Sequence, residues 1–267
     1  MIIVKKTPLK DFPTYTYPYL RDNHKIIFCF TTRHGGFSRG RFKSLNVDYN
    51  VGDDRTDVKK NRELILEKIG FNSSEKIYSI RQIHGSRIIK INKDKNYDSD
   101  EVFEEADCII TDKRDFPVMV MGADCNLILI ADVKRKVVAA VHAGWKGTLY
   151  GLISKAVLFM EDIFKSRTED LFVSFGPSIR RCCYRVSDSL LQEFIKKFGN
   201  KDFYTKKNNG VFLDLVKVNY IQLQELSVRK ENIFDCGTCT CCDPGFFSYR
   251  KNKVTGRQAG IAIIESE

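Results

Sequence analysis

Two of the four histidines in this 267-residue chain stand where chemistry is expected. His84 follows Ser79-Ile80-Arg81-Gln82-Ile83 and precedes Gly85. His142 ends the apolar run Val137-Val138-Ala139-Ala140-Val141 and precedes Ala143-Gly144-Trp145. In each case a strand-like run delivers an imidazole to a turn, beside a small residue that lets other groups approach. His24 and His34 lie in charged, turn-like contexts. Cys125, in Ala123-Asp124-Cys125, precedes the apolar run 127–131 and supplies a third group at a strand boundary. Two imidazoles and a thiolate suit zinc, and three protein ligands leave a fourth position for water or substrate, as in catalytic rather than structural sites. Thiolate also tolerates copper, so ligand type alone leaves the metal open. The tripeptide recurs as Ala106-Asp107-Cys108, and residue chemistry does not rank Cys108 against Cys125.

The elements that must hold these groups are short. Apolar runs rich in β-branched residues, each bounded by charge, Gly or Asp, predict strands over 26–31, 76–80, 87–91, 106–111, 118–121, 127–131, 137–141, 171–175 and 258–264. A helix is predicted over 57–69, with Leu64, Ile65 and Ile69 on one face and Gly70 at its C-terminal end. A second, over 148–164, carries Leu149, Leu152, Ile153, Ala156, Val157, Met160, Ile163 and Phe164 at helical spacing. Two more span 187–197 and 214–226. Strands outnumber helices without alternating strictly with them, and no linker or repeat divides the chain. The expected fold is α+β, a single domain over 1–267 with mixed β-sheets flanked by helices.

Composition narrows the function classes. No apolar run reaches the length of a membrane helix, and Met1 to Lys10 does not form a secretory signal. Nine cysteines, an odd number, then read as thiols or metal ligands in a reducing, cytoplasmic compartment. The net charge of +10, from 44 basic and 34 acidic residues, favours an anionic partner. Because the lysines are scattered and no nucleic-acid module is present, a small anionic substrate fits better than nucleic acid. Cys236, Cys239, Cys241 and Cys242 are spaced C-x2-C-x-C-C, which can serve a structural zinc or an iron–sulfur cluster. They are crowded, with no second pair at ribbon spacing, so they read as plain thiols, as do Cys182 and Cys183. Asp53 and Asp54 resemble an acidic metal pair but precede a helix, where Asp commonly caps. Trp145 suits either base stacking or core filling.

Nine blocks run in order from residue 31 onward: Thr31-Thr32-Arg33-His34-Gly35-Gly36-Phe37-Ser38, Ser44-Leu45-Asn46, Val51-Gly52-Asp53-Asp54, Gln82-Ile83-His84-Gly85, Ala123-Asp124-Cys125, His142-Ala143-Gly144-Trp145, Gly176-Pro177, Cys239-Thr240 and Phe247-Ser248-Tyr249-Arg250. Together they resemble the YfiH/YlmD family, labelled laccase-domain or polyphenol-oxidase proteins and also called peptidoglycan editing factors. The resemblance implies a YfiH-like sandwich whose zinc ligands are the His of Q-x-H-G, the Cys of A-D-C and the His of H-A-G-W. In this chain these are His84, Cys125 and His142, which favours Cys125 over Cys108.

The implied activity is phosphorolysis of the purine nucleosides adenosine, inosine and methylthioadenosine with inorganic phosphate, together with adenosine deamination, by a monomer or small homo-oligomer. Guanidinium forks and ammonium groups are natural phosphate holders. The family carries a functional Arg in the last block, so Arg250 and Lys251 are the catalytic candidates. Arg33 and Asn46 carry over as substrate-binding residues. Lys251 stands where many members have a second Arg, Lys146 replaces an Arg after H-A-G-W, Asn126-Leu127 replaces an apolar-Pro step, and Arg185 stands where an acid is common. The alternative activity is a hydrolase that removes a misincorporated serine from a UDP-linked peptidoglycan precursor. A copper-dependent polyphenol oxidase is disfavoured, because multicopper chemistry needs more histidines than four.

Overall fold

Continuous apolar runs such as Val137–Ala143, buried at every position, form strands whose two faces are both covered. The computed structural model describes residues 5–7, 14–71, 76–91 and 101–266, so most of the Met1 to Lys10 stretch lies outside the described residues. In chain order the first strands are β1 (Lys5–Thr7), β2 (Thr14–Thr16), β3 (Ile26–Thr31), β4 (Tyr78–Arg81), β5 (Ile88–Lys90), β6 (Glu101–Glu105), β7 (Cys108–Thr111) and β8 (Val118–Gly122). They are followed by β9 (Asn126–Asp132), β10 (Val137–Ala143), β11 (Leu171–Phe175), β12 (Arg185–Val186), β13 (Tyr204–Lys207), β14 (Gly210–Leu213), β15 (Ile233–Asp235) and β16 (Gln258–Ile264). The helices are α1 (Pro18–His24), α2 (Arg55–Lys68), α3 (Trp145–Leu149), α4 (Leu152–Phe164), α5 (Asp188–Phe198), α6 (Leu215–Glu225) and α7 (Tyr249–Asn252).

Two sheets pack face to face. One runs β1-β2-β3-β16-β8-β4-β6 and the other β15-β11-β9-β10-β7-β5. Both are mixed, since β4 pairs in parallel with β6 and β8, and β5 with β7, beside antiparallel neighbours. Between them lie Phe28, Phe30, Val118, Val120 and Ile264 of the first sheet against Leu127, Leu129, Val138 and Ala140 of the second. The outer face of the first sheet takes Ile65 and Leu66 of α2. That of the second takes Ile153, Val157 and Met160 of α4 and Val216 and Leu223 of α6. A small sheet, β12-β14-β13, packs with α5 and α6 at the side. The fold is the expected α+β sandwich of mixed sheets with flanking helices.

The helix ends show local chemistry. Asp54 caps α2 by accepting the N–H groups of Thr56 and Asp57, so that helix begins two residues before the predicted start. Gly70, at φ +70°, donates to the Glu67 carbonyl and ends it as expected. The predicted helix over 148–164 is instead two helices. Gly151, at φ +73°, leaves the right-handed path and starts α4 afresh after α3. The apolar stripe on α4 is core-facing, Met160 included.

Candidate metal centre

The candidate ligand side chains come from three places where strands end. Gln82, just after β4, uses its amide to continue the β4–β8 pairing. Its Nε2 donates to the Met121 carbonyl at 2.7 Å and its Oε1 accepts the Met121 N–H at 2.7 Å. This docking fixes the start of the turn that carries His84. His84 itself, not the glycine after it, takes the left-handed conformation, at φ +57°. Cys125 lies where the chain crosses from β8 in one sheet to β9 in the other. β9 and β10 pair antiparallel with Leu127 opposite His142 and Asn126 opposite Ala143. The spacing between Cys125 and His142 is therefore that of a hairpin, with both residues at its open end.

There His84, Cys125 and His142 bring one ligand atom each within 4.8 Å of one another. The His84 and His142 rings meet edge to face with centroids 4.8 Å apart. His142 is 2% exposed, Cys125 is half-buried and His84 faces solvent, so the cluster is closed from the sandwich side and open at His84. Gly144 makes room for it. A Cβ there would stand 3.1 Å from Cys125 Sγ and 3.3 Å from His84 Cδ2. Neither His24 nor His34 belongs to the cluster.

Asp107 organises this centre. It is fully buried, its Oδ1 lies 2.9 Å from His142 Nδ1, and its carboxylate accepts the N–H groups of Ile83, His84 and Gly85. Three consecutive amides converging on one carboxylate hold the left-handed turn at His84. Burial works against ionisation of Asp107, but the bond to His142, its charge and the amides of Gly85 and His84 outweigh it and keep the carboxyl below its usual range. Burial likewise opposes the Cys125 thiolate. Even so, the charge and hydrogen bonds of His142, with those of His84, bring the thiol down to about 6. His142 moves the other way, up to about 9, because Cys125 and Asp107 overcome its burial.

Alternation along β7 separates the two A-D-C tripeptides. Asp107 meets the cluster, whereas Cys108 is buried in the helix-facing layer, where burial raises its thiol. Nothing in the sequence reading marked Asp107 as functional. The available signal was a carboxylate set between apolar Ala106 and Cys108-Ile109-Ile110, since a buried charge needs a partner.

Asp124 does comparable work on the other side. Buried, at φ +99°, it accepts Thr240 Oγ1 at 2.7 Å through Oδ1 and the Arg250 N–H at 2.6 Å through Oδ2. It thus joins the Cys125 crossover to the C-terminal segment and to α7. Arg250 Nη1 donates to the carbonyls of Cys183 and Arg185, and its guanidinium lies 5.3 Å from the Tyr184 ring centroid. Lys251 is exposed on the same short helix. Arg33 donates from Nε to the Lys43 carbonyl and stacks over Phe247 at 4.7 Å. Asn46 is fully buried; its amide binds the Asp48 carbonyl and Asp53 Oδ2 and accepts from Asp48 and Arg257. That side chain holds a loop together and presents no free polar group. Trp145 is partly buried against the side core, and Asn126, at the start of β9, buries its amide nitrogen without a protein partner among the described residues.

Residues 27–265 match the family described as multi-copper polyphenol oxidoreductase laccase. The purine nucleoside phosphorylase YlmD of Geobacillus stearothermophilus is 33% identical over 236 residues, 85% of this chain and 86% of that one. The purine nucleoside phosphorylase CA_C1699 of Clostridium acetobutylicum is 32% identical over 258 residues, 96% of this chain and 98% of that one. Among solved structures, YlmD from Geobacillus stearothermophilus superposes with a TM-score of 0.89 at 28% identity over the whole of both chains. Bacillus licheniformis YfiH gives 0.85 at 26% identity, covering 94% of this chain and 96% of that one. The chain belongs to this laccase-like family, which includes the YlmD and YfiH proteins.

Proposed function

From that membership we propose that this protein is a zinc-dependent purine nucleoside phosphorylase, acting on adenosine, inosine and methylthioadenosine, that also deaminates adenosine. The observation that carries it is the three-ligand cluster, closed by the sandwich and open at His84, in a chain whose relatives bear the name purine nucleoside phosphorylase. The donor set suits zinc: one thiolate and two imidazoles gathered in the spacing of a single ion, with one imidazole held by a carboxylate. Zinc held there by His84, Cys125 and His142 would supply Lewis acidity at the position those ligands leave open.

The chain's own groups do the rest. Asp107 keeps a proton on Nδ1 of His142 and so presents Nε2 as a lone pair. Asp124 holds the Arg250 backbone and thereby sets where α7 begins. Arg250 spends Nη1 on two carbonyls; Nε and Nη2, without a hydrogen-bond partner among the described residues, would grip a phosphate, with Lys251 beside it as a second positive charge. In phosphorolysis a phosphate oxygen bonds to C1′ as the bond to the purine breaks. The purine leaves with the electron pair, giving free base and ribose 1-phosphate. In deamination, water adds at C6 and ammonia departs, giving inosine. Arg33, stacked on Phe247 three residues before Arg250, is the substrate-binding candidate on that ring, and Asn46 acts through the loop it holds.

Zinc-loaded protein incubated with adenosine, with and without phosphate, tests the proposal. Adenine with ribose 1-phosphate is expected only when phosphate is present, and inosine in either case. Absence of all three would sink it. Serine released from a UDP-linked muropeptide, or stoichiometric copper with phenol oxidation, would put one of the other two activities in its place.

A further inference from the structure

Four cysteines outside the three-ligand cluster meet in space, and they are not the four that adjacency in sequence suggested. Cys182, Cys183, Cys239 and Cys242 bring their sulfurs within 4.8 Å of one another. Cys242 Sγ stands 3.6 Å from Cys182 Sγ and 3.3 Å from Cys183 Sγ, and all nine cysteines are free thiols. Cys236 lies apart, with its sulfur 4.0 Å from Arg180 Nη2, and Cys241 is outside the group. Two turns supply the four sulfurs. One closes from the Cys183 and Tyr184 N–H groups to the Arg180 carbonyl, the other from the Asp243 N–H to the Cys239 carbonyl. Backbone bonds between Ser178 and residues Thr238 and Thr240 hold the turns together.

We propose that Cys182, Cys183, Cys239 and Cys242 form a second, structural zinc site that clamps these two turns to each other. The spacing supports a single tetrahedral ion. Zinc–sulfur bonds of about 2.3 Å place the sulfurs about 3.8 Å apart, close to the distances found. A four-iron cluster, with sulfides between its irons, holds its cysteine sulfurs farther apart. Cys239 and Cys242 stand in C-x2-C spacing, as in a metal-binding knuckle. Four protein ligands leave no open position, so the site is structural.

Its location gives it a consequence. The Cys183 carbonyl accepts from Arg250, and Thr240, next to Cys239, holds Asp124, next to Cys125. A metal clamping the two turns fixes both contacts at once.

The test uses a Cys125→Ser, His142→Ala variant, which removes the three-ligand centre, purified anaerobically and assayed for metal. About one zinc per chain is expected to remain, and adding Cys182→Ser and Cys242→Ser is expected to remove it. Cobalt substituted into the first variant should give the intense visible bands and thiolate charge-transfer absorption of a four-sulfur tetrahedral site. If the four-residue variant does not fold, loss of those bands on titrating the first variant with a mercurial reads the same ligands. Any of four results overturns the proposal: no zinc with freely titrating thiols, zinc retained after both serine substitutions, a disulfide among the four by mass, or iron with acid-labile sulfide.

Discussion

Asp107 Oδ1 lies 2.9 Å from His142 Nδ1, and the same carboxylate accepts the backbone N–H of His84. One buried group thus positions candidate ligands from both sheets, orienting one imidazole and shaping the turn that carries the other. Asp107→Asn keeps the volume but loses the charge and half the acceptors. Zinc affinity is expected to fall about 10- to 100-fold, the usual cost of removing a carboxylate behind a metal-bound histidine. Competition against a chromophoric chelator measures it, with circular dichroism to confirm the fold. Unchanged affinity would mean that Asp107 serves the turn alone.

Metal binding should expel protons in a pH-dependent way. In metal-free protein the Cys125 thiol is held at about 6 and His142 at about 9, so between these values the pair is thiolate and imidazolium. Zinc takes thiolate and neutral imidazole. Binding in that window therefore releases about one proton, from His142, and below the lower value about two, as Cys125 is protonated as well. Affinity rises with pH through the window and levels off above it. Calorimetric titration at pH 7.5 in buffers of different ionisation heat counts the protons; a count of zero contradicts the ion pair.

His84, Cys125 and His142 could be picked out as candidates from residue type and strand ends, but residue chemistry left Cys108 level with Cys125, and the resemblance ranked them. The groups that position the three could not be picked out. Asp107 and His142 are 35 residues apart, and Thr240 and Asp124 are 116 apart, so only the folded chain shows these pairs. The same holds for the four-cysteine cluster, whose members fall in two separate groups along the chain that each read as plain thiols. Strands β3, β11 and β16 have the predicted bounds because every residue in them is buried and the apolar run ends where the strand does. The small β12-β14-β13 sheet was missed because β13, Tyr-Thr-Lys-Lys, is polar and largely exposed and carries no period. The break at Gly151 was hidden by the apolar stripe running through it.

Gly144 gives a steric prediction. A methyl group there would press on Cys125 Sγ and His84 Cδ2 at 3.1 and 3.3 Å, while the backbone, at φ −70°, accepts alanine. Gly144→Ala should therefore lower zinc occupancy and leave the melting temperature of the metal-free protein within a few degrees of the parent. A large drop in metal-free stability with normal occupancy would place the constraint in the fold.

The Thr240–Asp124 bond is buried and involves a carboxylate. Thr240→Val keeps the shape and leaves Asp124 Oδ1 without its hydroxyl, a loss of about 1.5–3 kcal/mol. Asp124 also holds the Arg250 backbone, so turnover should fall along with stability. Denaturant unfolding and phosphorolysis assays on the same preparation separate the two. A stability loss with full activity would show that Arg250 does not depend on this contact.

Arg250 offers the sharpest test of the phosphate reading, because its guanidinium has a structural and a chemical use. Nη1 is committed to the Cys183 and Arg185 carbonyls, and the group packs over Tyr184. Arg250→Lys keeps the charge but loses the fork, so it can hold a carbonyl or meet phosphate but not grip both. It is expected to raise the KM for phosphate about 10-fold, and Arg250→Ala about 100-fold, one to two factors of about 1.4 kcal/mol each. Deamination, which uses water, should be affected far less by either change. Equal losses in the two reactions would assign Arg250 to holding the Cys183–Arg185 segment, and Lys251→Ala would then be expected to carry the phosphate-specific defect.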